Sequence, residues 1–324
     1  MLPCVELAVA AFNEHGLKLK ITVQYLNRER ESFYLKSVEQ GYLISKAIKE
    51  AQLLNRYTTR FQKSTEVLGE GAADIFVDAA DLVSLRARAD RALADLAVDH
   101  CVQPAEGRRK RLLVADMDST IIGCECLDEL ADFAGVKAEI AAITERAMAG
   151  ELPFEAALTE RVGRLAGLDL SALQRAYDER VRLNPGAAIL ARTMAAHGAR
   201  CVLVSGGFEF FTSRVAAAAG FADHRANRLI DDGARLTGAV GLPILGREAK
   251  LTALREEATA LGVDLADTLA VGDGANDLAM IEAAGLGVAY RAKPVVAARA
   301  DARVDHADLT ALLYFQGYGA DQFA

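Results

Sequence analysis

The spacing of apolar positions changes several times along the chain. Leu17, Leu19, Ile21, Val23 and Tyr25 alternate with Lys18, Lys20, Thr22 and Gln24, the period-two pattern of a half-buried strand. Residues 38–55 are helical in character. Asp74–Asp78 reads as a short strand, Leu82, Leu85, Ala89, Leu93 and Leu96 fall on one helical stripe, and Val98–Gln103 reads as a strand again. From Leu112 onward the strands become continuous apolar runs, at Leu112–Ala115, Cys201–Val204 and Thr268–Val271, each followed by a Gly- or Asp-bearing turn and a helical pattern. Strands of that kind are covered on both faces, so the expected core is α/β: a doubly wound, Rossmann-like parallel sheet. Between the first two runs, residues 124–186 carry helical stripes (Leu127, Leu130, Ala134; Leu158, Val162, Leu165) and end at Asn184-Pro185-Gly186. An all-helical insert there is expected to act as a cap over the carboxyl ends of the sheet, where open α/β folds bind ligands.

The first 66 residues hold six of the ten lysines and only five alanines, whereas residues 187–220 alone hold ten alanines. The change in composition places a boundary near Val67–Gly71, with Gly69-Glu70-Gly71 as a flexible break. The expected organisation is an N-terminal extension (1–68), a βαβ piece (69–107) of a small α+β module, a catalytic core (108–123 and 187–324) and a helical cap (124–186). Arg108-Arg109-Lys110-Arg111 is read as a solvated linker.

A net charge of −8 argues against a nucleic-acid or anionic-membrane binder, while leaving room for an anionic substrate held by local cations. Five scattered cysteines suit a reducing compartment. Cys124-Glu125-Cys126 lacks the second Cys or His pair that a zinc site needs. No apolar run reaches the roughly 18 residues of a membrane span, and there is no basic leader, so a cytoplasmic location is expected.

Four segments carry chemistry. Arg111-Leu-Leu-Val-Ala-Asp116-Met-Asp118-Ser-Thr120 ends a strand in two acids at i, i+2, which point the same way if the backbone stays extended. Keeping both charged is costly without a cation between them. Ser205-Gly206-Gly207, between a strand and a helix, makes an anion cradle. Lys250 follows in a helical stretch. Val271-Gly-Asp273-Gly-Ala-Asn276-Asp277 again ends an apolar strand in carboxylates, as hard oxygen ligands for Mg²⁺.

In this order the segments resemble the haloacid-dehalogenase-like phosphohydrolases, and within them the phosphoserine phosphatase family, from about Leu112 to Gln316. The resemblance implies that Asp116 is the nucleophile and Asp118 the general acid and base. Mg²⁺ would be held by Asp116, Asp273 and the Asp118 main-chain carbonyl, with Asp277 in support. Ser205, the Gly206 N–H, Lys250 and Asn276 would hold and orient the phosphate. Glu125, nine residues after the nucleophile, and Arg161 would read the substrate's ammonium and carboxylate, and Met148 and Phe154 would line its pocket. Ala226-Asn227-Arg228-Leu229 also resembles the family but receives no role. The expected reaction is hydrolysis of phosphoserine, the last step of serine synthesis, with no nucleic-acid or membrane partner and a homodimer compatible with it. Two alternatives stay open: another small phosphorylated amino acid or alcohol as substrate, and amino-acid sensing by an ACT-like N-terminal module, of which 69–107 would be part.

Overall fold

A computed structural model describes residues 19–25, 65–69, 71–77, 81–94, 96–246 and 248–324, with the backbone alone for 19–25 and Met148. The helix expected over 38–55 lies outside the described residues. The rest falls into two units. No helix among the described residues is long and apolar enough to cross a membrane.

The first unit contains strands β1 (Leu19–Tyr25), β2 (Thr65–Gly69), β3 (Ala72–Val77) and β4 (Val98–Gln103), and a helix, Leu82–Leu93, capped by Asp81. β1 pairs antiparallel with both β3 and β4, and β2 with β3. This corrects the boundary drawn at residues 68 and 69. Gly69 ends β2 paired with Ala72 at the start of β3, Gly71 takes φ 78°, and one sheet runs through the extension and the βαβ piece. A strand of alternating pattern needs hydrogen-bond partners along its edges, and β1 finds them on the far side of the supposed boundary.

Residues 302–307 and 311–323, expected in the core, also cluster with this unit. The buried Asp99 carboxylate accepts the main-chain N–H groups of Asp305, His306 and Ala307 at 2.6–3.2 Å. The side chain of Gln103 donates to Phe315 O. The basic run is not a solvated linker. Arg108 forms a bidentate pair with the fully buried Asp74 (3.0 and 2.7 Å), and Arg109 stacks over Tyr318 and donates to Gln322. In the second unit Lys110 is buried, donating to Ala266 O at 2.7 Å.

The second unit holds β5 (Leu112–Ala115), β6 (Arg200–Phe208), β7 (Asp223–Asn227), β8 (Leu229–Asp231), β9 (Leu236–Val240), β10 (Thr268–Gly272) and β11 (Leu286–Tyr290). Five of them lie in the order β11-β10-β5-β6-β7, every neighbouring pair parallel. Leu112, Val114, Val202, Val204 and Ala270 pack under the helix Ala249–Leu261. On β6 the alternate residue Cys201 meets the helix Ala187–Ala196, its thiol donating to Ala191 O. Both faces are covered, which is why β5 is apolar at every position. The connections from β5 run to β6 on one side while β10 pairs on the other, so β5 and β10 flank the switch point where such sheets bind ligands.

The cap is helical: Cys126–Ala134, Lys137–Met148, Phe154–Gly163 and Leu170–Arg180. Its entry and exit are tied together, with Ile122 bridging Leu183 and the Asn184 amide donating to Thr120 O and Ile122 O. The small β8–β9 hairpin joins the cap through Gly167 N–H to Leu236 O and Leu170 N–H to Ala234 O, a contact that the expected 187–324 core did not include.

Candidate active site

Although the ladder stops at Ala115, Asp116 (φ −69°, ψ 156°) and Asp118 (φ −67°, ψ 134°) remain extended with Met117 buried between them. Asp116 accepts the Met117 N–H at 2.8 Å and faces the Lys250 ammonium at 2.6 Å. Asp118 accepts the Cys126 N–H at 2.9 Å with one oxygen and the Ser205 hydroxyl at 3.1 Å with the other. Burial, then the neighbouring Asp277, pushes the Asp116 carboxyl up against the pull of Lys250. Burial also raises Asp118 above the usual carboxylate range, the direction a proton donor at neutral pH requires.

Lys250 lies in the first turn of its helix and is 3% exposed, between Asp116 and Asp277, whose nearer oxygen is 2.5 Å away. Burial works against its charge, but the two carboxylates hold its pKa above that of an ordinary lysine. The other oxygen of Asp277 accepts the N–H groups of Asp273 and Gly274 at 3.1 and 2.9 Å, which folds the Gly274–Asn276 loop back over the end of β10. Asn276 lies beside Gly274 in that loop.

One oxygen each from Asp116, Asp273 and Asp277 lies within 4.8 Å of the others. Burial and Asp277 raise Asp273 as well. The charge of Asp277 raising both Asp116 and Asp273 shows an unmet demand for positive charge, and the all-oxygen donor set fits a hard divalent cation. Asp118 contributes no carboxylate oxygen to this cluster, because both of its oxygens face Cys126 and Ser205.

β6 runs further than its apolar core, through Ser205, Gly206 and Gly207 to Phe208, with a register shift against β7 after Val204. The Gly207 N–H donates to the Ser205 oxygen at 2.8 Å. A methyl group on Gly207 would lie 3.0 Å from both the Asp118 carboxylate and the Ser205 hydroxyl. Gly207→Ala is therefore expected to displace both and to lower kcat by about 10- to 100-fold, with unfolding temperature almost unchanged. Steady-state kinetics beside a thermal melt would check it, and unaltered kcat would show that the contact is slack.

On the cap side, Glu125 accepts the Ser119 hydroxyl at 2.6 Å. Burial, with Asp118 next, raises its pKa to about 7. Arg161 is half-buried and donates to Ala157 O. Burial lowers its pKa, while Asp128 and Glu125 act in the opposite direction, so the Arg161 and Glu125 charges share one field. Phe154 places its ring against Gly206. Met148 ends its helix, and its side chain lies outside the described residues.

Three contributors went unassigned in the sequence. Ser119 takes a left-handed φ of 58°, from which its hydroxyl reaches Glu125. The buried Thr120 donates to Asp273 at 3.4 Å. Asn227, 1% exposed, donates to Gly206 O (2.9 Å) and Leu245 O (3.3 Å) and accepts the Leu245 N–H (2.7 Å), locking the cradle to the loop before Lys250. Its resemblance-bearing string was the one available signal.

The chain matches the haloacid dehalogenase-like hydrolases over residues 113–282. It is 41% identical over 234 residues to a phosphoserine phosphatase of Archaeoglobus fulgidus, covering 72% of this chain and 68% of that one. A HAD-family hydrolase of Salmonella enterica serovar Typhi aligns with a TM-score of 0.74 and 26% identity, over 92% of this chain and 99% of its own. A phosphoserine phosphatase solved as a phospho-aspartyl intermediate analogue aligns with a TM-score of 0.59 and 37% identity, over 64% of this chain and 99% of its own.

Proposed function

This chain belongs to the haloacid dehalogenase-like hydrolases, within their phosphoserine phosphatase branch, and we propose that it hydrolyses O-phospho-L-serine to L-serine and inorganic phosphate. The observation carrying this reading is the convergence of Asp116, Asp118, Ser205 and Lys250 beneath a cap that presents Glu125 and Arg161.

An Asp116 oxygen attacks phosphorus, forming an aspartyl-phosphate as the bond to the serine oxygen breaks. Asp118 gives its proton to that leaving oxygen, then takes one from the water that cleaves the acyl phosphate, returning both carboxyl groups to their starting state. The Ser205 hydroxyl, the Gly206 N–H and the Lys250 ammonium hold the other phosphoryl oxygens, with Asn276 orienting them. Mg²⁺ would be held by Asp116, Asp273 and the Asp118 main-chain carbonyl, with Asp277 behind them, and when bound it neutralises phosphoryl charge. Arg161 offers a planar fork to the substrate carboxylate, Glu125 a charge to its ammonium, and Phe154 and Met148 an apolar wall.

The test is Mg²⁺-dependent phosphate release from a panel of phosphomonoesters, repeated across pH. Glu125 ionises as pH rises through about 7, so the ammonium contact is present above that value and lost below it. The KM for phosphoserine is expected to rise on acidification from pH 8 to 6, while that for p-nitrophenyl phosphate, which has no ammonium, follows only its own ionisation. Glu125→Gln should remove the difference. Equal turnover of phosphoserine and generic esters would overturn the amino-acid reading.

A further inference from the structure

Two non-glycine residues among those described have left-handed backbones, Ser119 (φ 58°) and Arg291 (φ 45°). Such conformations persist where their surroundings over-determine them, and they cluster at functional sites. The contact to Glu125 accounts for Ser119. Arg291 stands at the carboxyl end of β11, beside the strand that delivers Asp273. Its guanidinium lies 5.1 Å from the centroid of the buried Tyr290 ring, which anchors the turn. Two residues on, the Lys293 N–H donates to the Asp273 main-chain oxygen at 3.0 Å. Pro294 then starts the short helix Pro294–Ala297 and fixes the chain direction.

The strained turn thus holds Lys293 against the loop that carries Asp273. The Lys293 side chain is exposed and makes no ion pair among the described residues; at Asp273, which burial and Asp277 raise, its charge works in the opposite direction after that of Lys250. The electrostatic need is plain. The site gathers Asp116, Asp118, Glu125, Asp273 and Asp277 in a chain of net charge −8. Lys250 is buried and already matched by two carboxylates. A phosphate dianion approaching from water has to enter among these carboxylates, and Lys293 adds an exposed positive charge to that of the half-buried Arg161.

We propose that Lys293 is a steering residue: its exposed ammonium, carried on the Arg291 turn whose main chain bonds Asp273, draws the phosphate dianion into the acidic site. The inference rests on the phosphomonoester reading above and adds a determinant of capture to it. Lys293 is assigned no part in bond making.

The test uses the full chain at saturating Mg²⁺ and follows kcat/KM for phosphoserine with increasing NaCl. At low salt Lys293→Ala is expected to lower kcat/KM about three- to tenfold, with kcat within about twofold of the parent and a shallower salt dependence. Lys293→Arg should restore both. Calorimetric Mg²⁺ affinity supplies a readout of opposite sign, because removing a positive charge beside Asp273 should leave that affinity unchanged or tighter. The proposal is overturned if kcat/KM at low salt matches the parent, if the salt slopes are parallel, or if Mg²⁺ binding weakens, which would make Lys293 a structural brace. Should the parent fail to hydrolyse phosphoserine, the functional reading falls instead. Affinity for inorganic phosphate, measured on the same variants, then decides whether Lys293 attracts the anion.

Discussion

Asp116→Asn is expected to lower kcat by at least ~10⁴-fold, the scale on which nucleophile removal acts in enzymes that use covalent intermediates. The substitution is close to isosteric. The Asn oxygen can still accept the Met117 N–H, and Lys250 keeps its contact with Asp277. What disappears is an oxygen lone pair basic enough to attack phosphorus. Because burial and Asp277 already disfavour charge at this position, the neutral amide should fold within about 1–2 kcal/mol of the parent, as ordinary substitutions do. Two measurements separate chemistry from folding: phosphate release from phosphoserine, and ³²P retained on acid-quenched protein, expected for the parent and absent from the variant. Turnover within tenfold of the parent would eliminate the covalent route.

The parts of this site legible in the sequence are those whose geometry is local. Leu112–Ala115 could be recognised as a central strand because a strand covered on both faces has no polar position, and Asp116 and Asp118 follow from period two. Ser205-Gly206-Gly207 and the Gly272–Asp277 loop are likewise short-range backbone devices. Lys250 shows where such reasoning ends. Its neighbours in sequence do not distinguish it from a solvated helical lysine, and only contacts with Asp116 and Asp277, far along the chain, make it a buried cation.

Asn227 poses the same difficulty, since its three hydrogen bonds reach 18 to 21 residues away. Residues 302–307 and 311–323 escape sequence reasoning because backbone N–H groups capped by Asp99 leave no side-chain pattern at 305–307. Gly69-Glu70-Gly71 misled for another reason: glycines that loosen a linker are equally suited to turn a hairpin.

Lys250→Met carries the second large effect, on activity and on stability together. The substitution keeps an unbranched side chain and removes the charge between two buried carboxylates. Breaking a buried pair by deleting one partner costs about 3–5 kcal/mol, because the remaining charge is left uncompensated. Loss of a preorganised phosphate contact should also lower kcat/KM by about 10²–10³-fold. The stability deficit carries a pH signature. In the parent, Lys250 lowers an Asp116 carboxyl that burial raises. Without it that carboxyl is raised further. The variant's folded state therefore holds the proton more tightly than the parent's does, and more tightly still than the unfolded chain, whose aspartates titrate near their ordinary value. Where the native state binds more protons, stability falls as pH rises. The gap between variant and parent should therefore be widest at pH 8 and narrow towards pH 5. Added Mg²⁺ should narrow it at pH 8 by resupplying positive charge to Asp116 and Asp273. Urea unfolding at both pH values, with and without Mg²⁺, checks both signs. A deficit that is constant across pH would mean that Lys250 stabilises by packing its aliphatic stem, not by neutralising the acids.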